Sequence, residues 1–317
     1  MPCDTVCRIQ YIFQSLVPFS LILYLLVIFV LIKNRKVVPF NSSFWLLAVN
    51  LGAADVCSQL FISCFALPCY WAWKSCLAPL LPASLFLFAP HYLLLVQDAG
   101  LLIITLNRFT AIQYAVRYEL IWRSNEVHLA LLFQWLIPLF AVTPFFLLIP
   151  TGYARGSIGY GTNASVMAMP TNHFYWTIFR IIVNVYNICR VAIIVVCYAL
   201  IVHKIYKTRH AVMAHNSNPS TSAGNRNWSK SEVKLALTAM VLAGCSVTNF
   251  LWTLFLLRFL NQQADKLTIQ LMNELLLKHT CTLYATSLTV YCCINPYLFI
   301  LTSGKLRHAV RNVLPFS

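Results

Sequence analysis

Of the 317 residues, 60% are hydrophobic and only 10% are charged, where an ordinary soluble domain carries about 25% charged residues. A chain this poor in Lys, Glu, Asp and Arg cannot cover itself with a water-facing surface, so the composition excludes a soluble globular protein and makes lipid the main solvent. The formal charge of +15 would suggest nucleic acid in a soluble chain, but here the basic residues sit in short clusters between apolar runs, where they act as topology signals, and no nucleic-acid partner is expected.

In chain order, seven apolar runs long enough to cross a bilayer make one domain over residues 1–317. The first ten residues hold Cys3, Cys7 and Arg8, and the run after them, Tyr11 to Ile32, exceeds the core of a cleaved signal peptide, so it reads as a retained first helix. Phe44 to Tyr70 is the second span and contains Asp55. Leu85 to Ile112 is the third; it contains Asp98 and is shadowed by Pro79, Pro82 and Pro90. Val127 to Ile149 is the fourth, and Phe174 to His203, with Arg180 and Arg190 inside it, the fifth. Residues 204–234 form a cytoplasmic loop whose stretch from Ala214 to Ser231, rich in Ser, Asn and Thr, is expected to be mobile. Leu235 to Leu257 and Lys278 to Leu301 complete the set. In the tail, 302–317, Leu306, Val310, Val313 and Leu314 recur at helical spacing beside Lys305, Arg307 and Arg311, the pattern of a short amphipathic helix on the inner membrane surface, with a frayed polar tail as the alternative. The expectation is an all-α membrane protein, a seven-transmembrane-helix bundle with a short amphipathic C-terminal helix.

Lys and Arg resist crossing the membrane on insertion. With the amino terminus outside and the carboxyl terminus in the cytoplasm, fifteen of them fall on the inner face and six on the outer. Of the sequons at Asn41, Asn163 and Asn227, only Asn163 is then outside, which makes it the candidate glycosylation site. Cys57, Cys64, Cys189, Cys197, Cys245, Cys281, Cys292 and Cys293 fall inside apolar runs and are expected to be inert core residues. Cys3, Cys7, Cys69 and Cys76 lie where an oxidising exterior can pair them, in a connectivity left open. No cluster suggests a metal or a cofactor. With no nucleophile and base at a recognisable spacing and no phosphate loop, no enzyme is expected.

An ionisable residue inside a span is costly unless paired, hydrated or turned to the bundle interior, so Asp55, Asp98, Arg180 and Arg190 are functional candidates, each against a purely structural alternative. Asp55 closes the run Asn50-Leu51-Gly52-Ala53-Ala54-Asp55, and Asn295-Pro296-Tyr297-Leu298-Phe299 stands near the inner end of the seventh span. These segments resemble the second and seventh helices of rhodopsin-like G-protein-coupled receptors. Asn107-Arg108-Phe109 is similar to their Asp/Glu-Arg-Tyr triplet, whose arginine meets the G protein, and Trp135, Pro144 and Tyr198 fit as well. The wider string Leu106 to Ile112, with Asn41-Ser42-Ser43-Phe44, resembles the nematode serpentine chemoreceptors of class gamma and class V. The resemblance implies a rhodopsin-like bundle and assigns G-protein coupling and activation to Asn107, Arg108, Tyr198, Asn295 and Pro296. It also implies a plasma-membrane receptor, in sensory cilia in such cells. Departures from the pattern remove several properties. Asn107 is no acidic partner for the arginine, the sixth span has no proline, no cysteine between Pro150 and His173 can form the usual outer disulfide, and Thr289 stands where a retinal lysine would be.

Counted along helices at 1.5 Å per residue, Asp98 and Arg190 each lie roughly 12 to 15 Å above the inner motifs. The third and fifth helices are neighbours in the bundle that the resemblance implies, so equal depth predicts a buried pair joined by Asn187, with separate hydrated cavities as the alternative. Asp55, Asp98 and Arg190 thus form the expected intramembrane polar core. Ligand candidates by depth are His91, Tyr92, Arg180, Asn184, Trp252 and Tyr284. Arg180 either clamps an anionic group or snorkels to the interface, while Trp71, Trp73 and Trp176 are expected in the interfacial belt. The reading is a chemosensory receptor that binds a small molecule or short peptide outside and activates a heterotrimeric G protein inside. A small solute transporter is the main alternative, and a ligand-gated channel, which needs an inverted topology, a third.

Overall fold

A computed structural model of the chain describes residues 5–37, 42–66, 82–156, 165–170, 173–215, 240–241, 244, 291, 293–301 and 303–313. Among the described residues five long helices dominate: Thr5–Lys33, Ser43–Phe61, Ala83–Gln113, Ser124–Leu148 and His173–His215. They are called the first to fifth helices below. The second continues through a π-helical turn, Ile62–Ala66. In hydrocarbon no water can satisfy a backbone N–H or C=O, so an apolar run becomes helix because helix satisfies both within the segment. This constraint also explains why Pro18, Pro90, Pro138 and Pro144 sit inside helices without ending them. Among the described residues, Ser43–Phe65, Ala83–Gln113, Ser124–Leu148 and Phe174–Lys207 are each long and apolar enough to cross a membrane, and Val17–Lys33 is a shorter apolar helix.

Burial is arranged for a lipid solvent. Leu132, Phe133, Ile137, Phe140 and Leu147 of the fourth helix are exposed, as acyl-chain contact requires, while polar and small residues face inward. The cysteine expectation is corrected here. Among the described cysteines Cys197 alone is buried, and Cys57, Cys64 and Cys189 are exposed free thiols, since a thiol is apolar enough to face lipid. Cys3, Cys69, Cys76, Cys245, Cys281 and Cys292 lie outside the described residues, as does the side chain of Cys7.

Among the described residues two apolar clusters lie one above the other, here called inner for the side of the bundle that carries Asn107 and Arg108 and outer for the side that carries the hairpin between the fourth and fifth helices. The inner one joins Val27, Val30 and Leu31 of the first helix to Phe44, Trp45 and Leu47 of the second, Leu101 and Ile104 of the third, Ile194 and Tyr198 of the fifth, and Phe299. The outer one joins Phe88 and Leu95 to Val142, Ile149 and Phe179. The C-terminal helix, Gly304–Arg311, starts where the Ser303 hydroxyl accepts a 3.2 Å hydrogen bond from the Leu306 N–H. It buries Leu306 and Val310 in the inner cluster and exposes Lys305, Arg307, His308 and Arg311.

Three elements differ from expectation. The first helix begins at Thr5, and the fifth runs past His203 to His215. Between the fourth and fifth helices the chain forms an antiparallel hairpin, Thr151–Gly156 with Ser165–Pro170, in register Thr151 to Pro170 and Gly156 to Ser165. This hairpin packs against the third helix. Its strands bear little alternation, and their pairing partner supplies the order that local sequence does not.

Candidate functional site

The site is a column of polar and aromatic groups along the inward faces of the second, third and fifth helices and segment 291–301. Its densest knot is Asp55. That carboxylate is fully buried and accepts hydrogen bonds from the Tyr24 hydroxyl, from Gln97 Nε2 at 2.7 Å and from Asn295 Nδ2 at 2.5 Å. One acidic side chain thus ties the first, second and third helices to the inner part of the seventh segment. In a low-dielectric interior, donors of this kind are what make a carboxylate tolerable. Beside it Asn50 donates to Gln134 Oε1 at 2.7 Å and accepts from Trp135 Nε1 at 3.1 Å, which docks the fourth helix. Gly100 makes room for that amide: a Cβ would stand 2.5 Å from Gln134 Nε2 and 3.1 Å from Leu51 Cδ1, so the Gln134 side chain would have to shift.

Asp98 and Arg190 are both buried, and the guanidinium donates through Nη1 to Asp98 Oδ1 as an ion pair. Tyr291 donates its hydroxyl to the same oxygen at 3.5 Å. The pair sits between the two apolar clusters, with Leu95 above and Leu101 below on the third helix. Asn187 is buried but makes no hydrogen bond to the pair, and its Oδ1 has no partner. A single helical turn is too coarse a measure of side-chain aim to predict that bond.

At the inner end, Asn107 Nδ2 donates to Ser43 Oγ at 3.0 Å and to the Tyr118 hydroxyl at 3.1 Å, and Ser43 and Tyr118 are themselves 2.7 Å apart. Arg108 places its guanidinium carbon 3.4 Å from the centroid of the Phe44 ring. Phe44 meets Trp45 and Phe299 edge-on or tilted, with Phe299 and Trp45 centroids 6.5 Å apart. Tyr198 and Pro296 are buried nearby. Beyond Arg108, Val116 is 94% exposed, with Leu120 and Ile121 exposed beside it.

At the outer end the ligand candidates separate. His91 lies against Trp176 and Phe179, with ring centroids 5.7 and 5.5 Å away, and within electrostatic reach of Arg180. Asn184 follows Arg180 by one turn on the inward face of the fifth helix, and both are half-buried. Tyr92 turns away instead and donates to the Trp135 carbonyl at 3.4 Å. Trp176, expected in the interfacial belt, packs against Phe88 and stacks on Phe179. Trp71, Trp73, Asn163, Trp252 and Tyr284 lie outside the described residues.

Sequence reasoning passed over Tyr24, Gln97, Gln134, Tyr291 and Phe44. Gln97 and Gln134 carried a usable signal, since a neutral amide inside an apolar run also demands partners. The tyrosines carried none that distinguishes them from other aromatic residues of a membrane span, and Phe44 entered only as part of the Asn41-Ser42-Ser43-Phe44 string, with no role attached to it.

A family model described as serpentine type 7TM GPCR chemoreceptor Srv matches residues 13–316. A protein of Caenorhabditis elegans, serpentine receptor class V-1, is 28% identical over 145 residues, which is 45% of this chain and 47% of that protein. The match spans about half the length of that relative. Coverage from the first helix to the tail places every group above inside the family's frame, and the chain is a member of the Srv family of seven-transmembrane serpentine chemoreceptors.

Proposed function

We propose that the chain is a plasma-membrane receptor of rhodopsin-like organisation, of sensory cilia where its cell has them, with its amino terminus outside and carboxyl terminus in the cytoplasm. A small molecule or short peptide binds in the outer half, among His91, Arg180 and Asn184, with Trp252 and Tyr284 as further candidates. Binding favours a bundle state whose inner face engages a heterotrimeric G protein through Arg108. The observation that carries this reading is the Asp98–Arg190–Tyr291 link. It joins the third and fifth helices to the seventh segment, midway between the outer aromatic cluster and the inner arginine, the position from which one link can couple the two ends. The exposed apolar surface of Val116, Leu120 and Ile121 supports a protein partner on the inner side.

The test is a ligand screen in cells with a G-protein readout, beside an Arg108→Ala variant that still reaches the surface. A response lost in the variant is expected. Solute uptake without a G-protein response would replace the receptor with a transporter. Tags on the two ends should be found in opposite compartments, and both on one side would overturn the assigned topology.

A further inference from the structure

We infer that the outer-half site takes a small amphipathic carboxylate, its charged group held by Arg180, its polar substituents by Asn184 and Asn187, and its apolar body by the Trp176–His91 wall. The inference rests on the receptor reading for its physiological meaning and on the geometry of the fifth helix for its chemistry. Arg180, Asn184, Asn187 and Arg190 follow one another at helical spacing of four, three and three residues. They form a polar strip on the face opposite the exposed Ile181, Ile182, Val185 and Ile188. Lipid therefore touches the isoleucines, and the strip faces the bundle.

Among the described residues, only the lowest member of the strip has its charge matched, Arg190 by Asp98. Among the described residues the acidic side chains are Asp55, Asp98, Glu119 and Glu126. Asp55 is occupied by Tyr24, Gln97 and Asn295, and the two glutamates flank the inner loop after the third helix. Arg180 and Asn184 have no hydrogen-bond or ion-pair partner among the described residues, and Asn187, 8% exposed, leaves Oδ1 unbonded. A guanidinium and two amides turned inward in a membrane span are expensive without partners. None of the described side chains fills that role for Arg180 and Asn184, and a ligand that brings an anion and hydrogen-bonding groups would.

The surroundings narrow the class. Trp176 and His91 present ring faces and edges within 5.7 Å of one another beside the guanidinium, a surface for apolar or aromatic carbon. One guanidinium matches one carboxylate through its planar fork, whereas a phosphate dianion would leave a charge unmatched in a low dielectric. Arg180 and Asn187 are seven residues apart, or roughly 10 Å along the helix, which sets the reach of a ligand that touches both.

The full-length protein, purified in detergent, is melted with octanoate and 3-phenylpropanoate and with the primary amide and amine of each skeleton. The acids are expected to raise the melting temperature and the amides and amines not to. Arg180→Gln should weaken acid binding about 10- to 100-fold. Arg180→Lys should keep the preference for acids at reduced affinity. The unliganded melting of each variant reports folding, and the acid-to-amide preference of the unaltered protein tests the inference even where a variant fails to fold. Equal stabilisation by acid and amide, no stabilisation by either, or an unchanged acid preference in a folded Arg180→Gln protein would overturn it. G-protein activation is scored separately. Acid binding without a G-protein response leaves the ligand class standing and removes the receptor reading, whereas a G-protein response confined to neutral or cationic compounds does the reverse.

Discussion

A carboxylate and a guanidinium in the middle of a bundle each lose hydration worth several kcal/mol, and Asp98 and Arg190 recover part of it from each other. Removing one partner leaves the other buried without its opposite charge. Asp98→Asn or Arg190→Gln alone is therefore predicted to cost about 3–5 kcal/mol of stability. The double neutral variant, Asp98→Asn with Arg190→Gln, should cost less than the sum of the singles, because it removes both buried charges. Melting of the purified proteins closes this cycle, and additive losses would mean that the two groups act independently. Tyr291 contributes a weaker bond to the same oxygen, so Tyr291→Phe should cost only about 0.5–1.5 kcal/mol. Since these variants lower stability, their signalling must be normalised to surface level before any role in switching is assigned.

Between elements, close approach is set by the residue with no side chain. Gly100 lets Gln134 of the fourth helix lie against the third, and Gln134, 1% exposed, is held there by Asn50. A methyl at Gly100 would displace the amide and break that bond. We predict that Gly100→Ala lowers the melting temperature by several degrees, equivalent to about 1–3 kcal/mol. Shortening the obstacle in Gly100→Ala/Gln134→Ser should recover part of the loss, and a double variant no better than Gly100→Ala would place the damage elsewhere. The same scale shows what sequence could convey. Helices were legible because lipid permits little besides helix, and the Asp98–Arg190 contact because two charges at one depth in hydrocarbon have few alternatives. The hairpin at Thr151–Gly156 was not, since its order comes from pairing with Ser165–Pro170 rather than from local pattern. The aim of a neutral side chain was not legible either. His91 and Tyr92 are adjacent in sequence, yet one meets the fifth helix and the other hydrogen bonds to the fourth.

At the scale of the molecule, two apolar clusters of the described residues are separated by a polar layer, and the inner one holds the groups that the proposed receptor would restrain at rest. In this chain Asn107 replaces the acid that the rhodopsin-like pattern sets beside the arginine, and it is occupied with Ser43 and Tyr118. Arg108 rests instead on the Phe44 ring, whose edge contact with Phe299 joins it to the seventh segment. A cation over an aromatic face is worth about 0.5–2 kcal/mol, depending on desolvation. If the state that admits a G protein draws Arg108 off the ring, loss of the ring face shifts the equilibrium toward that state by the same energy, about 2- to 30-fold in population. Phe44→Leu is thus predicted to raise ligand-free G-protein signalling per receptor at the surface. Phe44→Tyr, which keeps both the ring face and the contact with Phe299, should leave it near the original level. Arg108→Ala in the Phe44→Leu background should abolish the gain, because the freed arginine is the group that acts. Unchanged basal signalling in a Phe44→Leu protein at normal surface density would show that the Phe44 ring does not restrain the inner face.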